Sequence, residues 1–217
     1  MTELIVIRHG ETDWNRQQRF QGQIDVPLNA LGLTQAQRLA ERMARERVDA
    51  LWCSDLLRAQ ATAQAVAQAL DMAPRTEPLW REQSFGVLEG LDVPTIQREH
   101  APLWAQWLRY DADYALPGGE SVREFHARVL QALELIAAIH AGQRVAVVTH
   151  GDVLDMLWRT AQGAPLHGPR TVDIPNTGLN LLRWRDGVLD VLQWADAEHL
   201  DGLPAQPSTV QRRAENA

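Results

Sequence analysis

The run "LIVIRHGETDWN", Leu4 to Asn15, places four apolar residues directly before Arg8 and His9, and Gly10 then breaks it. Leu4–Ile7 reads as a short, fully buried strand. A strand ending in an arginine and a histidine has two explanations. Either it is reaching solvent, or it delivers polar side chains to the carboxyl edge of a parallel sheet, where open α/β folds bind their ligands. A second stretch repeats the design: in "RVAVVTHGD", Val145–Val148 run into Thr149, His150 and Gly151. Two buried strands that each finish in histidine and glycine favour the second explanation.

Between these strands the chain alternates. The polar loop "FQGQIDVPLNALG" leads to a helix, "TQAQRLAERMARER", with Thr34 as its expected N-cap. "DALWCS" fits a second buried strand. Ser54 or Asp55 is placed to cap the helix "LLRAQATAQAVAQAL", which Pro74 follows. This β-α-β-α order predicts an α/β domain with a largely parallel sheet. The pattern weakens over an insertion at about 79–119, short helical pieces broken by prolines. "SVREFHARVLQALELIAAIHAG" then carries Val122, Phe125, Val129, Leu133 and Ile136 at helical spacing. "TGLNLLRW" and "VLDVLQW" flank Asp186-Gly187, a hairpin signal. Residues 1–196 thus form the expected domain, and 197–217 read as a mobile tail without apolar pattern.

Composition excludes several classes. A formal charge of −7 argues against a nucleic-acid binder. No apolar run approaches the ~18 residues of a membrane span, and the N-terminus lacks a secretion-signal pattern, so a cytoplasmic protein is expected. Cys53 is the single cysteine, which rules out an intrachain disulfide. All 21 Lys+Arg residues are arginine, so lysine-based phosphate loops and Schiff bases are excluded while guanidinium–phosphate pairing is not.

The polar residues at strand ends and helix starts are Arg8, His9, Arg58, Glu82 and His150. Arg58 opposes the dipole of its own helix, which points to an anionic partner. Two arginines suit phosphoryl oxygens. A neutral imidazole is a competent nucleophile, and a second one stabilises charge on the transferring group. A carboxylic acid protonates a leaving alkoxide and later activates water. The arginines would also keep His9 neutral by like-charge repulsion.

"RHGETDWN", "CSDLLRAQATA", "REQSFGVLEG" and "VTHGDV" resemble, in that order, the four signature blocks of the histidine phosphatase (phosphoglycerate-mutase-like) superfamily, over roughly residues 3–195. The resemblance implies a three-layer α/β/α fold with 79–119 as a partial lid. It implies that His9 forms a phosphohistidine, that Arg8, Arg58 and His150 bind the phosphoryl group, and that Glu82 is proton donor and then base. Asn15, Gln21, Gly22 and Gly151 fall where relatives line the phosphate pocket. No cofactor or metal is implied, the partner is a small phosphomonoester, and a homodimer is one expectation because dimers are common in the family.

Rival readings fare worse. Only Ser54–Leu57 separate Cys53 from Arg58, too few for the Cys-x5-Arg loop of cysteine phosphatases. A metal at His9 and His150 lacks a carboxylate cluster and would be repelled by the arginines. Glu89 and Glu11 compete with Glu82 for the acid role, and Glu82 matches the family's donor position. His100, His126, His140, His167 and His199 lie outside the blocks and read as structural or surface residues. Gln83 stands where cofactor-dependent mutases of the family carry arginine, and the insertion offers Leu103, Trp104, Trp107, Leu108, Tyr110 and Tyr114 against the basic groups Arg98, His100 and Arg109. A metal-independent phosphatase of small phosphorylated metabolites is therefore favoured. A cofactor-dependent phosphoglycerate mutase and an inactive scaffold of the same fold stay as alternatives. Sugar phosphates, α-ribazole phosphate, protein phosphohistidine and a broad set of monoesters all remain open as substrates.

Overall fold

The protein is described here by a computed structural model over residues 1–210. In chain order the elements are β1 (Thr2–Arg8), α1 (Asp13–Arg16), α2 (Ala30–Met43), β2 (Ala50–Cys53), α3 (Leu57–Leu70) and β3 (Arg75–Thr76). There follow α4 (Val93–Glu99), α5 (Ala101–Trp107), α6 (Val122–Ile139), β4 (Arg144–Thr149), α7 (Gly151–Gln162), β5 (Leu179–Arg185) and β6 (Val188–Asp196).

The strands form one sheet in the order β3-β2-β4-β1-β5-β6. The first four are mutually parallel, and the β5–β6 hairpin adds antiparallel to β1. Side chains of a strand alternate between faces. Leu4, Val6, Val145 and Val147 therefore pack with Phe125, Leu133 and Ile136 of α6 and Leu154 of α7. Ile5, Ile7, Ala146 and Val148 pack instead with Leu39 of α2 and Ala63 and Val66 of α3. Each fully buried Leu, Ile or Phe contributes about 1.5–3 kcal/mol, and the two cores make the three-layer α/β/α sandwich. A third, smaller cluster joins Phe85, Leu88, Ile96 and Leu116 of the insertion to Phe20 and Trp104. Among the described residues no helix is long and apolar enough to cross a membrane.

Three local expectations change. α2 starts at Ala30, because Asn29 accepts the Gly32 amide at 2.8 Å; Thr34 lies inside the helix with its hydroxyl on the Ala30 carbonyl. A Cβ on Gly32 would sit 2.0 Å from the Glu11 carbonyl oxygen, and one on Gly10 would sit 2.6 Å from that of Gly32. These two glycines let the loop after β1 lie directly on α2. Neither Ser54 nor Asp55 caps α3. Asp25, distant in sequence, accepts the Leu57 amide at 2.9 Å, while Asp55 binds Arg81 in a two-bond fork and Ser54 turns to His150. The chain after Ala197 does not trail away. Through Val210 it folds back onto residues 173–176, held there by Gln206, Ser208 and Thr209. The remaining residues of the expected tail, 211–217, lie outside the described region.

Candidate active site

Register decides what meets at the carboxyl edge of the sheet. Arg8 of β1 lies opposite Thr149 of β4, and the next amide, His9, donates to the Thr149 carbonyl at 2.9 Å. The residues that follow, His9 and His150, therefore stand abreast, with ring centroids 5.2 Å apart.

The His9 Nδ1 is 2.7 Å from the Gly10 carbonyl oxygen. A carbonyl only accepts, so Nδ1 carries the proton and Nε2 keeps its lone pair. Burial, reinforced by Arg58 and Arg8, holds the imidazole pKa well below its ordinary 6.5. His9 is thus a neutral imidazole across the physiological range. His150 is fully buried, and its Nε2 lies 2.8 Å from the Ser54 hydroxyl. Its Nδ1 has no acceptor. Burial, then Arg58 and His9, keeps it neutral too. The Ser54 hydroxyl accepts from the Leu56 amide and finds the acceptor for its own proton in Nε2, which leaves Nδ1–H as a donor.

Arg58 is fully buried near the start of α3, where Nη1 and Nη2 donate to the carbonyls of Ile24 and Gly22 at 2.9 and 2.7 Å. Arg8 donates through Nη1 to the Ile174 carbonyl at 2.8 Å. The Nε–H of each has no protein acceptor, and burial pulls both guanidinium pKa values down to about 10. Three buried donors near His9 thus have no acceptor among the described residues: Arg8 Nε, Arg58 Nε and His150 Nδ1. Buried polar groups are otherwise almost always paired. An anion with several acceptor oxygens satisfies all three.

Glu82 lies in the loop after the 3-10 turn at Pro78–Trp80 and faces the start of α7. It accepts from the Gln83 amide at 3.0 Å and the Asp152 amide at 3.2 Å. Burial, with the Asp152 carboxylate adding to it, outweighs Arg58 and those amides and pushes its pKa up to about 7. That value suits a group that must both give and take a proton. Glu89 takes no such part: its Oε1 accepts from the amides of Gln23 and Phe85 and the Ser84 hydroxyl, pinning the loop. Glu11 is bound by Asn29 at 2.8 Å. The Cys53 thiol is buried and pushed up to about 11, mainly by burial, so it stays protonated.

These groups open into a cavity of about 590 Å³. Arg8, His9, Asn15, Gln21, Gly22, Arg58, Glu82 and Gly151 all line it; His150 is not part of the lining and is fully buried beside His9. Asn15 and Gln21 each accept from Thr12 through the side-chain oxygen, which fixes those oxygens and leaves the NH₂ group as the donor each can offer. Gly22 has φ +49°, and a Cβ there would overlap the Glu89 carboxylate. Gly151 opens α7, where its amide has no intrahelical acceptor. The lining also takes in the rings of Phe20, Phe85, Trp107, Tyr110 and Tyr114 beside charged groups such as Arg16, Arg19, Asp111 and Arg159; Leu103, Trp104 and Leu108 do not reach it.

Sequence reasoning missed Ser54, Asp152, Arg170 and Asn176. Asp152 binds Glu82 through its amide and Arg170 through its carboxylate. Asn176 donates to the His9 carbonyl at 2.8 Å. Asp152 was in view inside "VTHGDV"; the loop that carries Arg170 and Asn176 has no periodicity to mark it. Ser54→Ala is expected to strand the His150 imidazole, costing about 1–3 kcal/mol of stability in urea unfolding. It should also lower kcat about tenfold, because the ring loses its fixed tautomer.

Comparison with known proteins finds relatives over nearly the whole chain. Residues 4–197 match the model of the family described as the histidine phosphatase superfamily (branch 1). The chain is 36% identical to phosphoglycerate mutase-like protein 4 of Arabidopsis thaliana over 203 residues, 92% of this chain and 87% of that one. It is 32% identical to the probable phosphoglycerate mutase GpmB of Yersinia pestis over 210 residues, 94% and 97% of the two chains. Among solved structures, a mycobacterial glucosyl-3-phosphoglycerate phosphatase complexed with VO3 superposes with a TM-score of 0.80 at 28% identity, covering 90% and 99%.

Proposed function

The chain belongs to the histidine phosphatase superfamily (branch 1), and within it we propose a metal-independent phosphomonoesterase of small phosphorylated metabolites that works through a phosphohistidine on His9. The observation that carries this reading is the set of three buried donors near a neutral imidazole, without acceptors among the described residues, with a carboxyl of pKa about 7 beside them.

The chemistry follows from these positions. Arg8, Arg58 and His150 Nδ1–H hold the non-bridging oxygens, aided by Asn15, Gln21 and the Gly151 amide. The His9 Nε2 lone pair attacks phosphorus as the ester P–O bond breaks. The departing oxygen keeps that electron pair and takes the proton from Glu82. The carboxylate of Glu82 then removes a proton from water, whose oxygen attacks phosphorus. The P–N bond breaks, its pair returns to Nε2, and inorganic phosphate leaves. The guanidinium groups stabilise the charge that builds on the transferring phosphoryl oxygens, and such preorganised electrostatics usually lower the barrier more than any other effect.

A phosphatase is favoured over a mutase by how the polar and cationic groups lining the cavity are engaged. A mutase must seat a second anionic group there. Gln83 donates to the Glu120 carbonyl, and Arg159 is bound to Asp155 and to four carbonyls of residues 165–169. Arg19 is engaged by the Gly90 carbonyl and Asp92, and Arg170 by Asp152. The mutase names of the curated relatives support the other reading, as does Arg16, an exposed cation lining the cavity and paired only loosely with Glu11 at 3.8 Å; the engagement of Arg19, Arg159 and Arg170 weighs against it. The structural neighbour named as a glucosyl-3-phosphoglycerate phosphatase supports hydrolysis of a phosphate ester.

The test is a substrate series with one leaving-group type. Phenethyl phosphate should exceed ethyl phosphate in kcat/KM by about 10–100-fold, the worth of burying one ring, and a chelator should change neither. Interconversion of 3- and 2-phosphoglycerate, dependent on 2,3-bisphosphoglycerate and faster than hydrolysis, overturns the assignment.

A further inference from the structure

The strongest unexplained feature near the site is the returning segment 206–209, whose four residues all line the cavity and which is tied to the loop beside His9. That loop, between α7 and β5, has no regular structure, yet it holds both leading residues of the site. Ile174 accepts from Arg8 Nη1 at 2.8 Å. Asn176 donates its side-chain amide to the His9 carbonyl at 2.8 Å, and the Thr177 amide donates to the Arg8 carbonyl at 2.9 Å.

The same loop residues are gripped from the other side. The Ile174 amide donates to the Thr209 hydroxyl at 2.7 Å. Both backbone groups of Asn176 bind the Gln206 carboxamide: its N–H donates to Oε1 at 2.6 Å, and its carbonyl accepts from Nε2 at 3.1 Å. Asp173 accepts from the Ser208 hydroxyl and the Thr209 amide at 2.7 and 2.8 Å. One residue therefore separates each segment contact from a catalytic one. Thr209 reaches Arg8 through Ile174, and Gln206 reaches His9 through Asn176.

We propose that Gln206 and Thr209 are positioning residues, fixing Arg8 and His9 through Ile174 and Asn176. The proposal rests on the phosphatase reading of that site. A loop without a hydrogen-bond ladder takes its rigidity from such cross-ties. Releasing them frees the peptide units on which the Arg8 guanidinium and the His9 carbonyl rest. A displacement of about 1 Å at a reacting group costs on the order of 10²-fold in rate. Pro204 and Pro207 restrict the backbone around Gln206, which lowers the entropy lost when the segment docks.

The experiment compares the wild type with Gln206→Leu/Thr209→Val, which keeps side-chain volume and removes the polar ties. Thr209→Ser restores the hydroxyl alone. For phenethyl phosphate the double variant should lose about 10–100-fold in kcat with KM within about twofold, while near-UV circular dichroism shows the native fold. Thr209→Ser should keep kcat, whereas Thr209→Val should not. A segment that only walls the cavity would raise KM and leave kcat alone, which overturns the proposal. So would equal kcat values for Thr209→Ser and Thr209→Val. Orthovanadate affinity, read by calorimetry, separates this from the phosphatase reading: it should weaken at least tenfold in the double variant. If the wild type hydrolyses no monoester, that reading falls, and the vanadate comparison still decides the positioning role, an unchanged affinity refuting it.

Discussion

In a His9→Ala protein, hydrolysis of every monoester is expected to fall to the buffer rate, a loss of more than about 10⁴-fold, while the fold persists. The backbone reason is that the His9 amide still donates to Thr149 and its carbonyl still accepts from Asn176, neither of which involves the imidazole. Losing the Nδ1 bond leaves the Gly10 carbonyl short of one partner, worth about 1–3 kcal/mol. The chemical reason is that no other nucleophile replaces it. His150 lies beside the ring with Nε2 engaged by Ser54, and the Cys53 thiol is held protonated in the core. Single-turnover measurement with an activated aryl phosphate checks this, since a good leaving group exposes any residual nucleophile.

Glu82→Gln should lower kcat/KM for an alkyl phosphate by about 10²–10⁴-fold, and much less for an aryl phosphate whose anion leaves unaided. The pH dependence follows from the direction of the shift. Phosphorylation of His9 needs Glu82 protonated, and its pKa is about 7, so wild-type kcat/KM should decline tenfold per unit above that pH. The Gln variant should lack this limb. Because the His9 pKa lies well below 6.5, activity at mildly acidic pH should follow the second ionisation of the substrate phosphate, about 6, and not the imidazole. The same shift acts on stability. A carboxyl raised from 4.5 to about 7 by folding contributes stability that is complete below pH 4.5 and lost as the pH rises through 7. Glu82→Gln should therefore be the more stable protein at pH 8, by up to about 3 kcal/mol in urea unfolding.

The groups legible in the sequence are those whose position follows from local pattern. β1 and β4 are continuous apolar runs, so Arg8, His9, His150 and Gly151 could be placed at their ends without knowing the register. Arg58 stood out because a cation near a helix start conflicts with the dipole, and Glu82 because its block resembles a family signature. The residues that were missed act through long-range hydrogen bonds, which leave no periodic trace. Ser54 is 96 positions from His150, and Asn176 is 167 from His9. The cap expectations failed for a related reason. Asp55 and Ser54 have the right chemistry for capping, but Arg81 and His150 offer them stronger partners. The segment after Ala197 read as a tail because apolar periodicity is the usual mark of order, and residues 206–209 are held by hydrogen bonds instead.

The central claim is a covalent bond between His9 and phosphorus. Mixing the protein with a ³²P-labelled monoester and quenching within one turnover should trap label on the chain that is stable in alkali and released by acid. After proteolysis it should lie on the peptide containing His9, and it should be absent from His9→Ala. Turnover without trapped label in a Glu82→Gln background, where dephosphorylation is slowed, or label on any other residue, would contradict the account.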